Sequence, residues 1–160
     1  MTFRYPEGPG DPAVSEYDRK KFDRVHAAYG SGDPSALFGE SPVTPAPWPR
    51  AAREKRRAPY DESRVAAVLS EPEFRDVDPR KLHSTQPSIT RQGVDYYMGH
   101  EYERTGTTFA DQGDPGNRFP IVYGRDDGQN LLVSGHHRAA TALLRGESLR
   151  ANFAQGGWGS

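Results

Sequence analysis

The chain has 160 residues, of which 34% are hydrophobic, with 17 glycines and 14 prolines. Typical globular domains contain roughly 45–50% apolar residues, so part of this chain is predicted to pack no core of its own. Lys and Arg total 21 and Asp and Glu total 22, which excludes an overall basic field, and the absence of cysteine excludes disulfides, thiolate metal sites and cysteine nucleophiles.

Residues 1–60 are predicted to form a largely flexible extension with one short helix. Nine of the 14 prolines lie in this part of the chain. The helix spans residues 15–29, with Ser15 suited to its N-cap and Gly30 to its stop, and residues 30–49 are rich in turn-forming residues. The first residues lack the apolar segment of a signal peptide, and no run reaches the about 18 apolar residues of a membrane span. We therefore expect a cytoplasmic protein without membrane contact.

A basic run and a short helix follow the extension. Residues 50–57 hold five basic side chains among eight, which fits a patch that contacts phosphate. We favour the simpler interpretation of a solvated linker or helix face. Residues 61–75 are predicted to be a short helix and a connector, because Asp61 suits an N-cap and Pro72 ends the apolar pattern.

Residues 76–155 are predicted to form a small α+β domain in the order β-α-β-β-α-β. Apolar periodicity and glycines at element ends predict a strand near residue 77, a helix from residue 88 to about 103, a hairpin with strands at 119–123 and 130–133, a helix at 138–145 stopped by Gly146, and a strand at 149–153. We expect the core within residues 77–153, with buried side chains in the hairpin and the last helix, namely Ile121, Val122, Leu131, Val133, Leu143 and Leu144.

Residues 104–118 are predicted to form a loop that borders the functional site as a mobile lid. Loops of this length inside a compact domain are usually functional or mobile. Asp111 and Asp114 are candidates for holding Mg²⁺ through carboxylate oxygens. Loop solubility explains both carboxylates as well, and we favour that explanation.

Four aromatic residues elsewhere receive structural interpretations. We expect His83 and His100 to be surface or helix residues. Trp48 and Trp158 lie in segments rich in proline or glycine, and we expect them to dock onto the domain rather than to stack with bases.

The segment Ser134-Gly135-His136-His137-Arg138 is the candidate functional site. Gly135 permits a sharp turn, and the helix that follows starts with unpaired N–H groups and a partial positive charge. Arg138 adds a permanent cation, and the two histidines titrate near neutral pH. This combination indicates a site for an anion, most naturally phosphate. The alternative is that Gly135 only shapes the turn while the histidines cap or pack. Adjacent histidines rarely bind one ion, so we assign no metal ligands.

Two tracts resemble a known family. FPIVYGRDDGQNLLVSGHHRAATALLRGESLRA, residues 119–151, is similar to the second half of a ParB N-terminal domain, and VDPRKLHSTQPSITRQGVDYY, residues 77–97, resembles its first half. The resemblance implies the ParB/sulfiredoxin-like fold, which also includes ParB-like nuclease domains. It implies that a Gly-x-x-Arg turn grips the phosphates of a nucleoside triphosphate, CTP or ATP. The predicted phosphate-binding residues are therefore Gln86, Ser134, Gly135, His137 and Arg138.

Departures from the family pattern shape the predicted function. The sulfiredoxin cysteine is missing, which excludes sulfinic acid repair. The chain stops soon after the fold, so we expect a stand-alone phage or mobile-element member without a helix-turn-helix. Where ParB turns carry Glu-Arg, this chain has His136 and His137, which favours phosphodiester hydrolysis with one histidine moving the proton. Arg138 and the helix N-terminus would stabilise the developing charge.

The predicted function is therefore binding of a nucleotide or of nucleic acid such as DNA, with nuclease activity. One alternative is a non-catalytic regulatory protein of phage or plasmid type, with a vestigial or regulatory nucleotide pocket and a protein partner bound through the N-terminal extension. Another is a nucleotide-dependent phosphotransfer activity. Phosphodiester hydrolysis is the leading interpretation of the three.

Overall fold

The computed structural model describes residues 16–51, 57–100 and 119–159, which form a mixed α+β arrangement and confirm the predicted fold class. The helices are α1 (Glu16–Ala28), α2 (Ser35–Phe38), α3 (Glu62–Ser70), α4 (Arg91–Gly99) and α5 (His136–Arg145). The strands are β1 (Val43–Pro45), β2 (Phe74–Val77), β3 (His83–Ser84), β4 (Ser88–Thr90), β5 (Ile121–Arg125), β6 (Asn130–Ser134) and β7 (Leu149–Gly156). No helix in these described ranges combines the length and apolar character needed to cross a bilayer.

A five-stranded mixed sheet in the order β2-β7-β5-β6-β3 is the centre of the fold. β5 and β6 pair antiparallel as the predicted hairpin, and β7 lies parallel to β5 on its other side. Side chains of the hairpin alternate between the two faces of the sheet, as strand geometry requires. Val122 and Leu132 face the cluster that contains α5, whereas Tyr123 and Leu131 face a second cluster beside α3. Of the six side chains predicted to be buried, only Val133 is half-buried instead.

Helix α5 covers one face of this sheet and begins earlier than predicted, at His136 rather than at Arg138. Leu143 and Leu144 lie on its buried side within the main core. Gly146 ends the helix in the left-handed region at φ 67°, and its N–H donates to the Leu143 carbonyl at 3.1 Å. The earlier start places both adjacent histidines in the first turn of the helix.

The N-terminal segment shares the core of the sheet domain, so the predicted division at residue 60 and the predicted start of the core at residue 77 are wrong for residues 16–51. Side chains from this segment belong to the same buried cluster as Val122 and Leu143, namely Val25, Ala28, Leu37, Phe38, Ala46 and Trp48. Helix α1 confirms the predicted helix over its described residues, and Gly30 N–H donates to the Leu143 carbonyl at 3.0 Å. Residues 1–15 lie outside the described residues.

Backbone pairing explains how a proline-rich segment becomes part of the core. The Ser84 N–H donates to the Pro49 carbonyl at 2.7 Å, and the Ala51 N–H donates back to the Ser84 carbonyl at 2.9 Å. Residues 49–51 thus extend the sheet beyond its edge strand β3, where a proline is tolerated because only one side of the strand needs donors. This bridge is parallel, whereas β1 of the same segment pairs antiparallel with β4. The segment lacks a hydrophobic period and is nevertheless buried.

Both tryptophans dock onto the domain, as expected from the sequence. Trp48 is 0% exposed, and its Nε1 donates to the Pro79 carbonyl at 2.7 Å. Trp158 covers the guanidinium of Arg125, whose Cζ lies 3.6 Å from the ring centroid. The Arg125 side chain is itself buried, and its Nε lies 3.0 Å from an Asp127 carboxylate oxygen. The hydrophobic area of these rings thus holds the 42–51 segment and the C-terminal end of the described chain against the domain.

Replacing Trp48 with Ala tests the revised domain boundary. Large-to-small changes of buried aromatic residues cost about 3–5 kcal/mol of unfolding free energy, and we expect a loss in that range. The measurement is urea unfolding of the full chain. Val43→Ala is the matched control, because Val43 lies in the same segment and is 49% exposed, so it should change stability by no more than about 0.5 kcal/mol. Equal, small effects of both substitutions would contradict the shared core.

Candidate functional site

The turn between β6 and α5 depends on Gly135. This residue is the N-cap of α5, with φ 86° and ψ 31°, and the Ala139 N–H closes the first turn on its carbonyl at 2.9 Å. A Cβ at this position would lie 2.6 Å from the Pro120 Cβ, so a side chain is excluded by both space and backbone conformation. The predicted role of Gly135 in the turn is confirmed. The exposed Ser134 stands at the end of β6, on the rim of this turn.

The first turn of α4 meets the first turn of α5 at this place. The Thr90 N–H donates to Nε2 of His137 at 3.1 Å. Thr90 is also the N-cap of α4, since its Oγ1 accepts from the Gly93 N–H at 3.2 Å. The His137 ring rests on Gly93, where a Cβ would come within 2.5 Å of the ring Cδ2. Two helix N-termini, each with a partial positive charge, therefore converge on the predicted site.

His137 is neutral in this arrangement. A backbone N–H only donates, so Nε2 must present a lone pair and the ring proton must reside on Nδ1. The Thr90 hydroxyl lies 3.3 Å from the same Nε2 atom. Burial lowers the pKa of His137 below its ordinary value, in agreement with the hydrogen-bond pattern. Its Nε2 thus serves as an acceptor for α4 rather than as a cation or an available base.

His136 faces the core instead of the turn. Its side chain is 3% exposed and lies edge-on to Trp48, with 6.2 Å between ring centroids. Burial, with smaller electrostatic contributions from His137 and Arg50, lowers the pKa of His136 to about 4. Within the described part of the chain, its Nε2 has no hydrogen-bond partner. The adjacent histidines contact different elements, and the packing places the His136 side chain, which was predicted to be catalytic, in the core rather than at the turn.

Arg138 is buried beneath Tyr97. It is 7% exposed, and its Cζ lies 5.4 Å from the Tyr97 ring centroid. Burial lowers the pKa of Arg138. The charge of Tyr97 and its hydrogen bond to Arg138 offset only part of this decrease. A guanidinium stays protonated at any accessible pH, so it contributes a fixed positive charge to the site. With 7% of its surface exposed, Arg138 has little direct access to solvent in this arrangement.

Gln86 lies in the loop that leads to β4 and α4, and not in the turn between β6 and α5. Its Nε2 donates to the Ser88 carbonyl at 2.6 Å, and its backbone N–H donates to Ser84 Oγ at 3.2 Å. The neighbouring Thr85 hydroxyl donates to the Leu132 carbonyl at 2.7 Å, which ties this loop to β6. Gln86 therefore supports the loop from which β4 and α4 begin, while Gly135, His137 and Arg138 lie together at the turn.

The remaining sequence predictions have mixed outcomes. His83 is buried in β3, so its assignment as a surface or helix residue is wrong; burial lowers its pKa to about 3. His100 is exposed at the end of α4, as expected, and stacks on Tyr96. The predicted lid at 104–118, with its two candidate Mg²⁺ ligands, lies outside the described residues. Among the residues that are described, no group of three or more His, Asp or Glu side chains is placed to hold a metal ion.

Sequence reasoning missed three residues of the site. Thr90 had a detectable signal, since a threonine directly before a helical segment suits an N-cap, whereas Gly93 had none. Tyr97 follows Gly93 by one helical turn and so shares its face. Comparison of the chain with family models, with curated proteins and with solved structures gives no match.

The pH dependence of stability tests the burial of neutral His136. Well above pH 6.5, the ordinary pKa of the unfolded chain's imidazole, His136 is neutral in both states and contributes nothing to the pH dependence. As pH falls towards 4, the unfolded chain binds a proton that the folded His136 resists, so the free energy of unfolding should drop by ~3 kcal/mol. His136→Phe should remove this part of the slope in urea unfolding measured from pH 8 to pH 4. An unchanged slope in the variant would show that His136 is not held neutral by the core.

Proposed function

We propose that this chain binds the phosphate groups of a nucleotide or nucleic acid at the first turn of α5, residues 134–138. The observation that carries the proposal is the position of Arg138. Its guanidinium is buried at the N-terminal end of a helix, where the helix dipole opposes a cation by about 0.3–1 kcal/mol and burial adds a further cost. Stability alone does not favour a cation there, whereas an anion beside the turn would be attracted both by the guanidinium charge and by the two helix N-termini.

The resemblance to ParB N-terminal domains supports the same assignment. A strand, a glycine turn, an alanine-rich helix and a final strand follow one another in the order that the resemblance implies. We extend the proposal to a ParB/sulfiredoxin-like fold with the glycine and arginine of the turn on the phosphate side. CTP or ATP is then the nucleotide class to test first, with Mg²⁺ as the accompanying ion.

The two histidines support binding more directly than hydrolysis. His136 is packed in the core, and Nε2 of His137 already accepts from Thr90. A proton-transfer role requires His137 to leave Thr90 first. Phosphodiester hydrolysis therefore stays a prediction that depends on a rearrangement, and a non-catalytic nucleotide-binding protein is the second candidate. For that candidate, a protein partner bound through residues 16–51 is less favoured, because their apolar side chains are used in the chain's own core.

Titration with tripolyphosphate, ATP, CTP and a short single-stranded DNA tests the binding site. Arg138→Ala should weaken binding of the ligand that responds by about 1.5–3 kcal/mol, roughly tenfold to a hundredfold, and equally at pH 6 and pH 8 because the guanidinium does not titrate. Arg145→Ala is the matched control, since Arg145 lies at the opposite end of the same helix and pairs with Glu147. Equal affinities of the two variants and the wild type would defeat the proposal.

Cleavage of plasmid DNA in the presence of Mg²⁺ tests the hydrolytic part separately. If His137 moves the proton, His137→Ala should lower turnover by roughly 10²–10⁴ while changing affinity little. His136→Phe is the control, because a residue held in the core has no part in proton transfer. Binding without cleavage by the wild type would leave the chain as a nucleotide-binding protein.

A further inference from the structure

The hydrogen bond between Thr90 and His137 joins two helices through a titratable group. Thr90 stands directly before α4 and His137 lies in the first turn of α5, 47 positions later in the chain. Both the N–H and the hydroxyl of Thr90 lie within 3.3 Å of Nε2. A proton on Nε2 would face the Thr90 N–H donor head-on, so this connection exists only while the ring is neutral.

The surroundings of His137 oppose a positive charge on the ring. The charged and titratable groups on the two helices that meet at His137 are His136 and Arg138 on α5 and Arg91, Asp95 and Tyr97 on α4. Oδ2 of Asp95 lies 3.8 Å from Nε of Arg91, so the negative charge of Asp95 is compensated by Arg91. Two helix N-termini add further positive potential. A proton on His137 therefore needs an additional negative charge, which a phosphate at the turn would supply.

We propose that phosphate binding at residues 134–138 is coupled to the uptake of one solvent proton at Nε2 of His137, which breaks the hydrogen bond from Thr90 and releases the first turn of α4. The coupling rests on the proposed function. The bond formed is Nε2–H, which can donate to a phosphate oxygen, and the only interaction lost is the acceptor role of Nε2 towards Thr90. His137 is thus a positioning residue for α4 before binding and a ligand contact afterwards.

The direction of the pH dependence follows from reciprocity. If the ligand favours the protonated ring, protonation favours the ligand by the same factor. Affinity should rise as pH falls through the pKa that His137 has in the complex, and it should level off below the lowered pKa of the ligand-free protein. The same event should expose the Thr90 amide to solvent, because its acceptor is gone.

The experiment compares the wild type with His137→Gln, using tripolyphosphate as the probe. Glutamine offers Oε1 where Nε2 stands, so it accepts from Thr90 at every pH and takes up no proton. Calorimetry in two buffers of different ionisation enthalpy at pH 7 counts protons, and the difference between the two proteins removes the titration of the probe itself. We expect the wild type to take up more protons, approaching one, and to gain about tenfold in relative affinity between pH 8 and pH 6. Amide exchange at Thr90 should accelerate on saturation only in the wild type.

Three results would overturn the coupling. Equal proton uptake by the two proteins, or a Thr90 amide that stays equally protected at saturation, would leave phosphate binding intact and remove the coupling. No binding of tripolyphosphate by the wild type would defeat the proposed function itself, and the coupling with it. If His137→Gln fails to fold, the wild type alone provides the test. The NMR chemical shifts of the His137 ring and of the Thr90 amide are then followed against pH, with and without the probe. They must titrate together, and with a higher midpoint when the probe is present.

Discussion

The close approach of Gly135 to Pro120 is the constraint on which the site depends. β6 ends beside the residue that precedes β5, and the space between them admits no Cβ. The chain therefore reverses in a left-handed turn and enters α5 at once, with the helix directed back across the sheet. Because this reversal fixes the direction of α5, it also fixes where its first turn lies, against Thr90 on one side and Trp48 on the other.

Two neutral imidazoles and one permanent cation determine the electrostatic potential at the turn. Burial holds both imidazoles neutral, while the guanidinium of Arg138 keeps its charge under Tyr97. The site thus carries a positive potential without the proton equilibria of free histidines near neutral pH. Such a potential would favour an anion at all moderate pH values, because it does not depend on a proton carried by either histidine.

Strongly patterned elements could be predicted from the sequence, whereas elements defined by distant contacts could not. The hairpin, α5 and the caps at Asp61 and Gly146 follow from local rules of alternation and capping, and the structure has all of them. The burial of residues 16–51 escaped prediction because proline-rich chain packs by pairing with a sheet edge, which leaves no period in the sequence. His83 was missed because β3 is too short to alternate.

In the candidate site, too, the local residues could be predicted from the sequence and their distant contacts could not. Its glycine, arginine and histidines are visible in the sequence as a turn between a strand and a helix. Their surroundings are provided by Trp48, Thr90 and Tyr97, which come from two other parts of the chain. No spacing rule connects these residues, so the chemistry of the turn required the fold.

The docking of α1 on α5 has a consequence for how the chain folds. Tyr29 donates to the Gly146 carbonyl across a separation of 117 positions, and Gly32 N–H donates to the Leu144 carbonyl at 2.7 Å. Contacts this distant in sequence require closure of a long loop, which slows folding relative to chains with local contacts. During synthesis, the apolar side of α1 emerges long before the helix that covers it. The first part of the chain is then an exposed hydrophobic surface, and it is protected only when the last helix arrives.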